Sequence, residues 1–172
     1  MPTCFQGPGR APFRACSLIF ILLSATAIAA CDNPVEDNHD DEHSEVAGLE
    51  LRINGVQAYR VLAGVVSCGT APCGIQVSTG DDTPLITVRL LDEDGDEIDA
   101  DHLDAAFSLG HSIQDTSVAE FEQHAEDGRW SFHIEGVAAG VTTMQLELLH
   151  SGHADFTTPP LSSSDAIVIT VQ

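Results

Sequence analysis

In Leu85-Ile86-Thr87-Val88-Arg89-Leu90-Leu91-Asp92, apolar and polar residues alternate without a break from Ile86 to Leu90. Ile86, Val88 and Leu90 fall on one side of an extended chain, and Thr87 and Arg89 on the other. A period of two with one apolar face marks a half-buried β-strand, because successive side chains point to opposite faces of a sheet. Asp94-Gly95 follows and turns the chain into Glu97-Ile98, a dipeptide type that tolerates the positive φ of a tight turn.

The same period recurs on both sides of this strand. Leu49, Leu51 and Ile53 alternate with Glu50 and Arg52, and Asn54-Gly55 is a hairpin signal. Residues 56–66 are a second extended run, broken near Gly64, and 74–78 a short one. Residues 79–82 read as a loop. Towards the C-terminus, 117–121 predicts a short strand. In 129–135, Trp130, Phe132 and Ile134 oppose Ser131, His133 and Glu135, and Trp130 is expected to anchor the core. Met144, Leu146 and Leu148 point inward from 141–149, 154–157 is an edge segment stopped by Pro159-Pro160, and 166–171 closes the chain. Residues 100–109 fit either one helical turn (Leu103, Ala106, Phe107) or a strand (Ala105, Phe107, Leu109). About eight short strands separated by turn residues, with no helical stripe, predict an all-β, antiparallel sandwich over residues 46–172.

Asp115-Thr116-Ser117-Val118-Ala119, followed by Ile134-Glu135-Gly136-Val137-Ala138-Ala139-Gly140-Val141-Thr142-Thr143-Met144, resembles bacterial immunoglobulin-like domains of the invasin/intimin type. Those domains show a Ser-Val-Ala strand, a Gly-x-x-x-Gly-Thr-Thr hairpin and a closing Val/Ile-rich strand. Asp165-Ala166-Ile167-Val168-Ile169-Thr170-Val171 fits the last. The resemblance covers roughly residues 85–172, departs at 100–109 and 150–164, and implies an immunoglobulin-like β-sandwich. It implies fold more than role, since such folds host many functions.

The N-terminal residues have a different chemistry. Arg10 and Arg14 precede an apolar segment centred on Leu18-Ile19-Phe20-Ile21-Leu22-Leu23, and no Asp or Glu occurs before Cys31. A basic head, a short apolar body and a small-residue end form a secretory signal peptide. The run is shorter than the roughly 20 apolar residues of a membrane span. Ile28-Ala29-Ala30-Cys31 resembles the lipobox of bacterial lipoproteins, in which the cysteine is lipidated and becomes the new N-terminus. Residues 1–30 are therefore expected to be a cleaved lipoprotein signal peptide, and Cys31 the lipid attachment point holding the chain to a membrane of the cell envelope. Asp32, directly after it, resembles an inner-membrane retention signal of proteobacterial lipoproteins, although whether the chain sits at the inner or the outer membrane stays open. Residues 31–45 hold Val35 as their one aliphatic residue among many acids, too little apolar surface to offset the entropy of ordering, and read as a disordered acidic tether. His39 and His43 lie within it.

The chain carries 27 acids against six basic residues, for a formal charge of −21. After Cys31 the basic residues are Arg52, Arg60, Arg89 and Arg129, with no lysine. Nucleic-acid binding needs clustered Lys/Arg and is excluded on this balance; cations or a basic partner are admitted. Cys68 and Cys73 are expected to be disulfide-bonded outside the cytoplasm. Half of a zinc site is the rival reading, and a redox pair is disfavoured by the spacing and by Pro72.

No Gly-x-Ser-x-Gly elbow, phosphate loop or His-Glu-x-x-His occurs. Asp92-Glu93-Asp94-Gly95-Asp96 looks like a calcium loop, but Leu103 stands where the bidentate Glu of an EF-hand belongs. His150-Ser151-Gly152-His153-Ala154-Asp155, with His133, is the candidate set for Zn²⁺ or Cu²⁺. His133 and His150 differ in the face they are expected to occupy. The leading expectation is a membrane-anchored, non-catalytic domain with no cofactor, serving an unidentified envelope protein or ligand. The alternative is a periplasmic or surface metal-binding protein using the His150–Asp155 loop.

Overall fold

The computed structural model describes residues 46–69, 73–100 and 103–172. The predicted signal peptide, Cys31 and the acidic tether lie outside them. Among the described residues twelve strands form two sheets and no α-helix occurs. In chain order they are β1 (Gly48–Ile53), β2 (Val56–Leu62), β3 (Val65–Ser67), β4 (Ile75–Val77), β5 (Ile86–Leu91), β6 (Glu97–Ile98), β7 (Phe107–Ile113), β8 (Ala119–Glu122), β9 (Ser131–Gly136), β10 (Gly140–His150), β11 (His153–Thr157) and β12 (Ile167–Val171). One sheet runs β3-β2-β1-β5-β9-β8 with β6 also on β5; the other runs β11-β10-β12-β4 with β7 also on β10.

The inward stripes match the sequence period. Leu49 and Leu51 on β1, Ile86, Val88 and Leu90 on β5, and Phe132 and Ile134 on β9 pack in one core with Met144, Leu146 and Leu148 of β10 and Ile167, Ile169 and Val171 of β12. Trp130 joins this core, its indole N–H donating to the Ala100 carbonyl at 3.2 Å. Tyr59 is fully buried and its hydroxyl donates to the Asp165 carbonyl, tying β2 to the approach to β12. Burial, and then the nearby Asp165 charge, pushes this phenol above the ordinary tyrosine range.

Parity sends β1's Glu50 to the other face, where it stands opposite Arg60 of β2 and Arg89 of β5. Glu50 is buried all the same, because Arg52 and Arg60 lie over it and donate to its carboxylate. A buried carboxylate needs such partners, since desolvation otherwise costs several kcal/mol (on the order of 3–5 when one partner is removed). Arg89 pairs with Glu97 of β6 at 2.8 Å. Three of the four arginines after Cys31 are thus used on this face.

Asn54 and Gly55 both have positive φ and join Ile53 directly to Val56, as the Asn-Gly signal predicts. Ala63 and Gly64 do the same between Leu62 and Val65, so the break near Gly64 is a second two-residue hairpin. At Gly136 the constraint is space: a Cβ there would lie 2.3 Å from the Ser78 carbonyl oxygen, where the loop before β5 hydrogen-bonds to the end of β9.

Three features depart from the sequence expectation. The sandwich is not wholly antiparallel: β4 pairs with β12 in parallel, Ile75 beside Ile169 and Val77 beside Val171. In the ambiguous 100–109 region, residues 103–106 form bends and turns and Phe107 opens β7, which continues through His111 to Ile113. Only Phe107 of β7 is buried, so the alternation of Phe107, Leu109 and Ile113 with small or polar residues is a weak signal. The strand expected at 117–121 begins two residues later, because Asp115 accepts hydrogen bonds from the Ser117 amide and hydroxyl and holds 115–118 as a turn; those bonds depress the Asp115 carboxyl below its ordinary value.

Cys68 and Cys73 are joined by a disulfide, with Cα atoms 5.4 Å apart. It sits where the chain leaves β3 of one sheet for β4 of the other. The chain-entropy model gives about 2 kcal/mol for so short a loop. The Cys68→Ser/Cys73→Ser double variant should therefore unfold at lower denaturant by about that amount, with an unchanged m-value, and wild-type protein should show both thiols protected from alkylation until reduced.

Candidate functional site

The described side chains with the most ligand chemistry lie at the β8–β9 hairpin. Register places Glu120 opposite Glu135 and Glu122 opposite His133, while Phe121 and Ile134 face the other way. Carboxylates directly opposite on one face repel one another. Asp82 adds another charge through its bridge to Glu135. Loss of hydration, then the Glu122, Asp82 and Glu120 charges, pushes the Glu135 carboxyl above its ordinary value.

His133 is held from the side of β9 away from β8. Thr83 pairs with Ile134 there by both its amide and its hydroxyl. This puts the Thr83 carbonyl 2.8 Å from His133 Nδ1. A carbonyl only accepts, so Nδ1 carries the proton and Nε2 of the neutral ring is free as a ligand. Nε2 faces Asp127 Oδ2 at 3.4 Å. That oxygen is buried and makes no hydrogen bond. His124 completes the group, its ligand atom within 4.8 Å of both others.

The connecting loop is well tied. Asp127 N–H donates to the His124 carbonyl and Gly128 takes a positive φ, turning the chain back. The Gln123 amide donates to the Arg129 and Ser131 carbonyls, closing the base of the loop. The Arg129 guanidinium, over the Trp130 ring, donates to the Ala100, Leu103 and Asp104 carbonyls.

The four residues expected from sequence to share a metal site do not share one. His133 is on β9 in one sheet; His150, His153 and Asp155 are on β10 and β11 in the other. His150 and His153 face each other across the two-residue turn Ser151-Gly152, but His150 stacks on Phe107 at 4.3 Å and its Nδ1 is 3.7 Å from Asp155, while His153 is exposed. Among the described residues, the group close enough to hold a metal is instead His124, Asp127 and His133. His124 and Asp127 escape sequence reading because their meeting with His133 depends on the path of the loop. The signal present is a His-x-x-Asp turn directly before a strand with a polar-face histidine.

The calcium-like stretch is a turn: Asp92 Oδ1 accepts the amides of Asp94 and Asp96. Beside it, an open cleft of about 560 Å³ is lined by Arg89, Glu97, Ile98 and the Trp130-Ser131 segment among others; its main charged pair, Arg89–Glu97, is already satisfied.

The chain matches no protein-family model and no curated protein. Among solved structures it is similar to domains 4 and 5 of the S-layer protein SbsC, at 17% identity and a TM-score of 0.38, covering 57% of this chain and 46% of that one. It is also similar to domains 5–6 of SbsC, at 17% identity and a TM-score of 0.39, covering 58% of this chain and 39% of that one. The chain thus spans less than half the length of either structure, and a likeness this loose assigns no role.

The raised Glu135 carboxyl has a stability consequence. Its folded form binds a proton more readily than the unfolded chain, so the associated stability is present below the ordinary Glu value of 4.5 and is lost as pH rises through the elevated one. Glu135→Gln should therefore raise the melting temperature at neutral pH and low salt. The gain should shrink with added salt and vanish in acid, as read by thermal denaturation across pH.

Proposed function

We propose that this chain is a bacterial envelope lipoprotein, anchored by lipid on Cys31 and presenting a non-catalytic β-sandwich outside the cytoplasm. The observation that carries the reading is Ile28-Ala29-Ala30-Cys31, set between a basic, acid-free apolar leader and a chain bearing all 27 acids. Residues 31–45 serve as the acidic tether. The immunoglobulin-like domain contacts an envelope protein or ligand, or has a structural role there; nucleic acid is repelled by the charge.

The interior supports a binding or structural role over catalysis. Several buried polar side chains are committed to building the fold: Thr83 accepts from Ile134, Thr142 from Asp115 and Thr158 from Leu146, each at an amide. Glu50 is committed to Arg52 and Arg60. A metal function centred on the His150–Asp155 loop has less support, since His150, His153 and Asp155 are not among the described residues whose ligand atoms lie within 4.8 Å of one another.

Anchoring is the testable core. Stable attachment takes two acyl chains or an equivalent second signal. In detergent phase partitioning of expressing cells, wild-type protein should enter the detergent phase with the mass of a diacylated Cys31 N-terminus, and Cys31→Ser should remain unprocessed or be released. Partitioning of both into the aqueous phase would refute the reading.

A further inference from the structure

We propose that His124, Asp127 and His133 form a transition-metal site at the β8–β9 hairpin that takes Zn²⁺. The inference is independent of the lipoprotein reading and concerns different residues from the His150–Asp155 loop.

Three observations carry it. The first is ligand geometry. Tetrahedral Zn²⁺ with bonds of about 2.0–2.2 Å sets neighbouring ligand atoms roughly 3.3 Å apart, and His133 Nε2 lies 3.4 Å from Asp127 Oδ2. His124 is within 4.8 Å of both and its side chain is 47% exposed, so a rotamer adjustment closes the remaining gap. The second is the outer shell. His133 Nδ1–H on the Thr83 carbonyl fixes the ring and presents Nε2, the arrangement that metal-ligating imidazoles use. The third is the burial of Asp127, with a side chain only 16% exposed and an Oδ2 that lacks any hydrogen bond. A buried carboxylate oxygen without a donor is costly, and a cation between Asp127 and the two imidazoles removes the cost.

The surroundings act in the same direction. Glu120, Glu122, Glu135 and Asp82 crowd the same sheet face with no Lys or Arg paired to them in register. Their field raises the local concentration of divalent cations, and a bound dication relieves their mutual repulsion. Two neutral imidazoles with one carboxylate suit Zn²⁺ better than the oxygen-seeking Ca²⁺ or Mg²⁺. Cu²⁺ competes, as it does at most nitrogen sites. The three protein ligands leave one position to water, and the metal cross-links the loop before Trp130 to β9.

The test uses the full-length chain in non-ionic detergent, titrated with Zn²⁺ by calorimetry at physiological and at high salt. The expected result is one salt-resistant equivalent of micromolar or tighter affinity, a raised melting temperature, and a Co²⁺ derivative with tetrahedral ligand-field absorption. His124→Ala, Asp127→Asn and His133→Gln should each weaken binding by at least about 10-fold; His124 is exposed, so its variant keeps the fold. His39→Ala, His43→Ala, His150→Ala and His153→Ala should leave binding unchanged. Binding that disappears at high salt, that survives His124→Ala, or that is lost in the His150 or His153 variants overturns the proposal. So does a variant set that changes stability without Zn²⁺ dependence, which would make Asp127–His133 an ion pair only.

Discussion

Each strand of this sandwich has one face to give to the core, and that constraint sets the position of nearly everything else. The inward residues of β1, β5 and β9 are almost completely buried against those of β10 and β12. Each such side chain contributes on the order of 1.5–3 kcal/mol, so slipping any strand by one residue would expose a whole stripe. With the inward set pinned, the outward set has no freedom. Glu50 must stand between Arg60 and Arg89, and Glu120, Glu122, His133 and Glu135 must share one face of the β8–β9 hairpin.

That placement has opposite consequences on the two faces. Around Glu50 the outward charges are complementary, and burial is tolerated because Arg52 and Arg60 supply donors. At β8–β9 the outward charges are nearly all negative. Glu120 directly opposite Glu135 is a pairing that sheet energetics disfavours, and it lies beside a buried carboxylate oxygen without a donor. Local violations of this kind tend to mark functional positions. In a chain with a charge of −21, a cation is the partner that turns this arrangement from a cost into a site.

How far the sequence could be read follows from the same constraint. Strands with one dry face, such as β5, β9 and β10, were legible because burial enforces alternation. The Asn54-Gly55 hairpin was legible because its turn chemistry is local. β7 was only half legible, as one of two readings of residues 100–109, since Phe107 alone is buried and its pairing with β10 is made by backbone groups that leave no mark on residue type. The parallel β4–β12 pair was invisible for a related reason: it joins segments about 95 residues apart in the sequence by a few hydrogen bonds, and non-local pairing leaves no periodic trace. Period two puts His133 on the polar face of its strand, but the residues that come within metal-ligand distance of it are not legible from the pattern. The His150-x-x-His153-x-Asp155 cluster draws attention to the β10–β11 hairpin, although His124 and Asp127 are nearer in sequence; their approach to His133 depends on a loop whose path is set by Gly128 and Gln123.

The arrangement at His133 can be read directly by long-range ¹H–¹⁵N NMR of the histidine rings, before and after addition of Zn²⁺. Neutral His133 should be protonated on Nδ1, donating to the Thr83 carbonyl, and Zn²⁺ should shift Nε2 of His133 together with the His124 ring. His150 and His153 should not move. A His133 ring protonated on Nε2, or Zn²⁺ shifts confined to His150 and His153, would contradict the His124, Asp127 and His133 site.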